Sequence, residues 1–81
     1  MVDLKKAKEI IKKVHSGFNM VTEYPNVFLF WHDGEDEVIG GADAPKGVLK
    51  TNGAVLSMPQ LTIKGMLDDD KIIMESRVDF E

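Results

Sequence analysis

The stretch Asn26-Val-Phe-Leu-Phe-Trp-His-Asp-Gly-Glu-Asp-Glu37 decides how the rest of the chain is read. Five apolar residues, Val27 to Trp31, run without a break, and His32 and a cluster of carboxylates follow. An uninterrupted run of β-branched and aromatic residues reads as a strand over residues 26–32 that is covered on both faces. Side chains alternate along a strand. Phe28 and Phe30 therefore share one face, and Val27, Leu29 and Trp31 share the other. Asp33-Gly34 supplies a turn, and Glu35, Asp36 and Glu37 keep that turn in water.

Upstream, the pattern changes period. Asp3 is placed to cap a helix beginning at Leu4. Leu4, Ala7, Ile11, Val14 and Phe18 recur at steps of three and four, with Ile10 widening the stripe. The spacing predicts a helix over about 3–16. Gly17 is expected to close it in the left-handed conformation. An extension toward Tyr24 is compatible with the pattern, and Pro25 forbids much more.

Downstream, short segments alternate with turn residues. Val38-Ile39 resumes as a strand, Gly40-Gly41 implies a bend, and 43–47 reads as a turn. Val48–Thr51 and Ala54–Ser57 flank Asn52-Gly53, the signature of a hairpin with a type I′ turn. Residues 61–66 and 72–80 each alternate like strands, separated by a turn at Asp68-Asp69-Asp70. The fold class expected for residues 1–81 is a single small α+β domain. Its N-terminal amphipathic helix packs on a mainly antiparallel sheet of about five to six strands. In a simple meander the turns at 33–37, 52–53 and 68–70 fall at one end of the sheet and crowd seven carboxylates there.

Composition narrows the functional classes. With 81 residues, a deep water-free active site is hard to build, whereas grooves and interfaces are not. The chain has no cysteine and shows neither a leader pattern nor an apolar run of membrane-spanning length, which points to the cytoplasm. Charge is uneven. Five lysines against two acids give residues 1–17 a net +3, and five basic against twelve acidic residues give 18–81 a net −7, for −4 in all. The acidic body opposes nucleic-acid binding, and the lysines of the helix are not interleaved with stacking aromatics. The helix stripe of Leu, Ala, Ile and Val lacks the Trp and Phe of membrane-surface helices.

No pattern of catalysis emerges. His15 and His32 have no recognisable nucleophile context, and neither a phosphate-binding glycine loop nor a G-x-S-x-G occurs. The segment from His32 to Glu37 departs from EF-hand spacing, so it reads first as a solvated turn guarding a sticky strand. The expected function is therefore non-enzymatic, with no cofactor and no bound metal. The reading is an interaction or adaptor module that meets a protein partner or a second copy of itself. Leu29, Trp31, His32 and Asp33 are the candidate contact residues, because one helix cannot cover both faces of the strand that carries them, which leaves the second face either to later loops of the chain or to another molecule. The alternative is a small-ligand or divalent-metal protein using His32 and the acidic turns. It depends on whether the carboxylates of 33–37 and 68–70 converge.

Overall fold

Asp3 caps the first helix as its position predicts: the Lys6 amide donates to Asp3 Oδ1 at 2.9 Å. The computed structural model describes residues 1–15, 17–33 and 45–79. The expected strand at Val38-Ile39, the bend at Gly40-Gly41, the carboxylates of residues 35–37 and Phe80 lie outside the described residues. Helix α1 spans Leu4–Val14. Ala7 and Ile11 on its stripe are fully buried, while Val14 at its end is half exposed. Its termination differs from expectation. His15 is already extended, and its amide donates to Ile11 O at 2.8 Å. Among the described residues only Gly53 and Gly65 have positive φ, so Gly17 does not close the helix in the left-handed conformation. Gly17 serves another purpose. A Cβ there would sit 2.5 Å from His15 Nε2, and the same imidazole meets the Phe18 ring edge-on at 4.9 Å between centroids. The missing side chain gives the histidine ring its place.

The chain then forms strand β1, Met20–Glu23, where the sequence reading allowed a helix extension. Tyr24 N donates to Val27 O at 2.9 Å, closing a two-residue hairpin through Pro25-Asn26. Strand β2, Val27–Trp31, follows as expected. Strands β3, Lys46–Leu49, and β4, Val55–Ser57, form the expected hairpin, with Val48 opposite Val55, although β3 starts at Lys46, inside the turn expected over 43–47. Strand β5 is Met74–Arg77, shorter than the strand expected over 72–80. All five lie in one antiparallel sheet of order β4-β3-β2-β1-β5.

The loop between β3 and β4 is not a type I′ turn. Such a turn needs positive φ at both central residues, and Asn52 does not have it. The loop instead spans residues 50–53. Leu49 N donates to Ala54 O and Gly53 N to Leu49 O, both at 2.9 Å, with Gly53 alone left-handed at φ 74°. Two anchors enforce the longer loop: Lys50 N donates to Asn26 O, and Lys50 O accepts from Val2 N. A Cβ on Gly53 would also lie 2.9 Å from Ile10 Cδ1. Gly53→Val should therefore cost at least about 1–3 kcal/mol, the usual penalty for a strained backbone residue, with a further clash against the helix. Urea unfolding checks it, and a neutral result would remove the strain argument.

Residues 61–66, expected as a strand, are helical instead. Helix α2 spans Met58–Ile63. Ser57-Met58-Pro59-Gln60 is a capping box: Gln60 Oε1 accepts from Ser57 N at 2.9 Å, and Ser57 Oγ accepts from Gln60 N. Pro59 is tolerated in the first turn, where its missing N–H has no intrahelical role. The helix closes on Gly65, left-handed at φ 67°. Met66 N donates to Leu61 O at 3.1 Å and Gly65 N to Thr62 O at 3.0 Å, the double bond of a Schellman motif. Met66 and Leu61 then share one apolar cluster, the hydrophobic contact that accompanies such caps.

The two faces of β2 separate as the alternation requires. Phe28 and Phe30 join Ala7, Ile11, Phe18, Val21 and Val48 beneath α1. Val27 and Leu29 join Tyr24 and Leu61, with Leu49, Leu56, Met66, Leu67 and Trp31 packed around them. The second face is thus covered by the chain itself. Helix α2 and residues 64–68 cross it from β4 toward β5.

Candidate functional site

Register assigns each end of the sheet its residues. Met20 lies opposite both Trp31 and Arg77, and Glu23 lies opposite both Phe28 and Met74. Asp33 follows Trp31 at the first end. Asp68 to Asp70 precede Met74 at the other, where a short 3-10 helix spans Asp69–Lys71. The Asn52-Gly53 loop is also at that second end, beside Asn26. The meander expectation that put 33, 52–53 and 68–70 together is therefore corrected: no described strand intervenes between β2 and β3, so Asp33 falls at the end opposite the other two turns. Among the described residues, no three His, Asp or Glu side chains are placed to hold a metal.

Of the candidate contact residues, Leu29 is buried at 6 % exposure and packs inside the second cluster. Trp31 is half-buried at the margin of that cluster. Its indole Nε1 donates to Thr22 Oγ1 at 3.0 Å, and Thr22 Oγ1 donates to Glu75 Oε1 at 2.8 Å. This chain of bonds runs across β2, β1 and β5 on one face. The hydroxyl relays between an indole that can only donate and a carboxylate that accepts. Thr22 is buried and Glu75 is exposed, so the relay leads from the interior to the sheet edge.

His32 is half-buried, and its Nδ1 is buried without a hydrogen-bond partner among the described residues. Asp33 is exposed, but its backbone is held twice: Asp33 N donates to Asn19 Oδ1 and Asn19 Nδ2 donates to Asp33 O, both at 2.8 Å. This clamp fixes the end of β2 against the start of β1.

Two further polar contacts were not anticipated from sequence, and these sit at the far end. Lys50, 8 % exposed, pairs with Glu23 at 2.6 Å and places its ammonium 4.8 Å from the Phe28 ring centre. Tyr24 OH donates to Asp69 Oδ1 at 3.3 Å. Burial raises the Tyr24 phenol above its ordinary pKa, and the Asp69 carboxylate pushes the same way. Both contacts tie loops to the sheet.

Half-buried Trp31 and Met20, with exposed Glu75 and Arg77, thus form one corner of this face, at the Asp33 end of the sheet. Strand β5 ends the sheet there. Among the described residues, no helix is long and apolar enough to cross a membrane. The chain matches no family model, no curated protein and no solved structure.

Proposed function

We propose that this chain is a non-enzymatic interaction module that associates through the corner of the sheet carrying Trp31 and the edge strand β5. One observation carries the reading. The second face is covered by its own chain over β3, β4 and the Tyr24 end, while the half-buried indole of Trp31 is linked across β1, through Thr22, to β5, a strand with no neighbour on its outer side among the described residues. Half-buried Met20 lies opposite Trp31 and adds apolar surface, and exposed Glu75 and Arg77 form a polar border. Aromatic and methionine side chains at the centre with charged groups around them match the composition of contact surfaces.

The small-ligand or metal reading gains nothing from the geometry, because Asp33 and Asp68 to Asp70 lie at opposite ends of the sheet. The test is sedimentation of the wild type and of Trp31→Asp across low to high micromolar concentration. The wild type should associate, and Trp31→Asp should stay monomeric with an unchanged circular dichroism spectrum. A wild type that remains monomeric throughout overturns the reading as a self-associating module.

A further inference from the structure

We infer that the partner at this corner is a second copy of the chain, joined β5 to β5 in antiparallel register about a two-fold axis through Ser76. The inference rests on the interaction reading above and adds a partner and a register to it.

Hydrogen-bond parity makes this pairing available. Val78 N donates to Asn19 O at 2.9 Å, and the register continues with Ser76 opposite Val21 and Met74 opposite Glu23. In an antiparallel pair the main-chain groups of alternate residues point to the same side. Those of Met74, Ser76 and Val78 face β1, so those of Glu75 and Arg77 face outward, where the sheet ends. A strand added on that side must bond to Glu75 and Arg77. A two-fold axis at Ser76 sets Glu75 opposite the second copy's residue 77 and Arg77 opposite its residue 75. Both are hydrogen-bonded pairs, so four main-chain bonds close and one sheet continues through both copies.

The side chains select this register over its neighbours. Glu75 and Arg77 lie on the Trp31 face, and in this register each carboxylate meets a guanidinium across the junction, twice by symmetry. Shifting by two residues in one direction places glutamate against glutamate, and in the other direction arginine against arginine. Opposite charges directly across a pair stabilise it and like charges destabilise it, so the alternatives are disfavoured by the same two residues. The Thr22 hydroxyl already holds Glu75 Oε1 at 2.8 Å, which orients the carboxylate before any partner arrives. On the other face the axis brings two exposed Ser76 side chains together, small enough for the close approach of a non-hydrogen-bonded pair. Met74 of one copy then lies beside the second copy's residue 78, and both are residues that already pack at the margin of the α1 cluster.

The test uses the lack of cysteine in the chain. Cα atoms of a non-hydrogen-bonded pair are about 4.5 Å apart, within disulfide reach. Ser76→Cys should form a covalent dimer in an oxidising glutathione buffer, and Thr51→Cys, exposed at the other end of the molecule, should not. Independently, Glu75→Arg and Arg77→Glu alone should each weaken dimerisation roughly tenfold or more, since two attractive pairs become repulsive. The double variant should recover most of the loss. A wild type that dimerises while Ser76→Cys links no faster than Thr51→Cys overturns the register and leaves the interaction reading in place. A double variant no better than the singles also overturns it. A monomeric wild type overturns both.

Discussion

Leu61→Ala should destabilise the chain by about 2–5 kcal/mol, the range for truncating a fully buried leucine. Leu61 is 0 % exposed and is the one buried residue of α2. It packs directly over Gly47 of β3. A Cβ added at Gly47 would overlap Leu61 Cδ1 and lie 2.8 Å from Val27 Cγ2. Glycine at position 47 is thus what allows the helix to lie on the strand, and the leucine fills the space this creates. Removing its side chain opens a cavity that a six-residue helix, held mainly by its caps and this contact, cannot refill. Gly47→Val should fail for the opposite reason, by overpacking the same contact. Chemical denaturation with tryptophan fluorescence measures both, since Trp31 packs at the margin of this cluster. A Leu61→Ala cost below about 1 kcal/mol would mean that α2 does not hold the second face.

Lys50→Ala should cost about 2–3 kcal/mol. Breaking a fully buried pair costs about 3–5 kcal/mol because one charge is left uncompensated, and the figure here is reduced because the carboxylate partly reaches water. Lys50 and Glu23 have side-chain exposures of 10 % and 23 %. The ammonium also lies over Phe28, so truncation loses a cation–π contact as well as the pair. Glu23→Leu with Lys50→Met should be markedly milder than either single truncation to alanine, since no charge is then left stranded. A double-mutant cycle with denaturant unfolding decides it. Additive costs would show that the two side chains do not act together.

Most of the fold is legible in the sequence, and the errors have physical causes. Asp3 and the 3.6-residue stripe mark α1, and the two faces of β2 follow from alternation alone. Strand β1 was missed because Met20–Glu23 is only four residues long and follows a helix whose apolar spacing runs on to Phe18. Its signal was the pair Val21-Thr22 ahead of Pro25-Asn26. Helix α2 was misread because Leu61, Ile63 and Gly65 alternate by chance. Ser57 and Gln60, three apart, with Pro59 between them, were the stronger cue, and Gly65 marked the cap. The Asn52-Gly53 signal placed the hairpin correctly but not its loop type, because Lys50 is drawn inward by Glu23, a partner distant in sequence. At the candidate site, the facing of Trp31 was readable. Its link through Thr22 to Glu75 was not, since it depends on β5 returning to pair with β1.

That return has a kinetic consequence. Strands β1 to β4 are joined in order along the sheet, so their contacts form over short stretches of chain. Strand β5 must cross the whole second face to reach β1, and loop closure over such a distance comes late. It is therefore expected to join last and to detach first. Amide hydrogen exchange should show Ser76 and Val78 opening at lower free energy than Leu29 or Phe30. Each opening bares the edge of β1, a strand whose natural complement is the β5 sequence, whether from its own chain or another. At high concentration the same molecule is then open to exchanging its last strand with a neighbour, a swapped form whose interface is the native one.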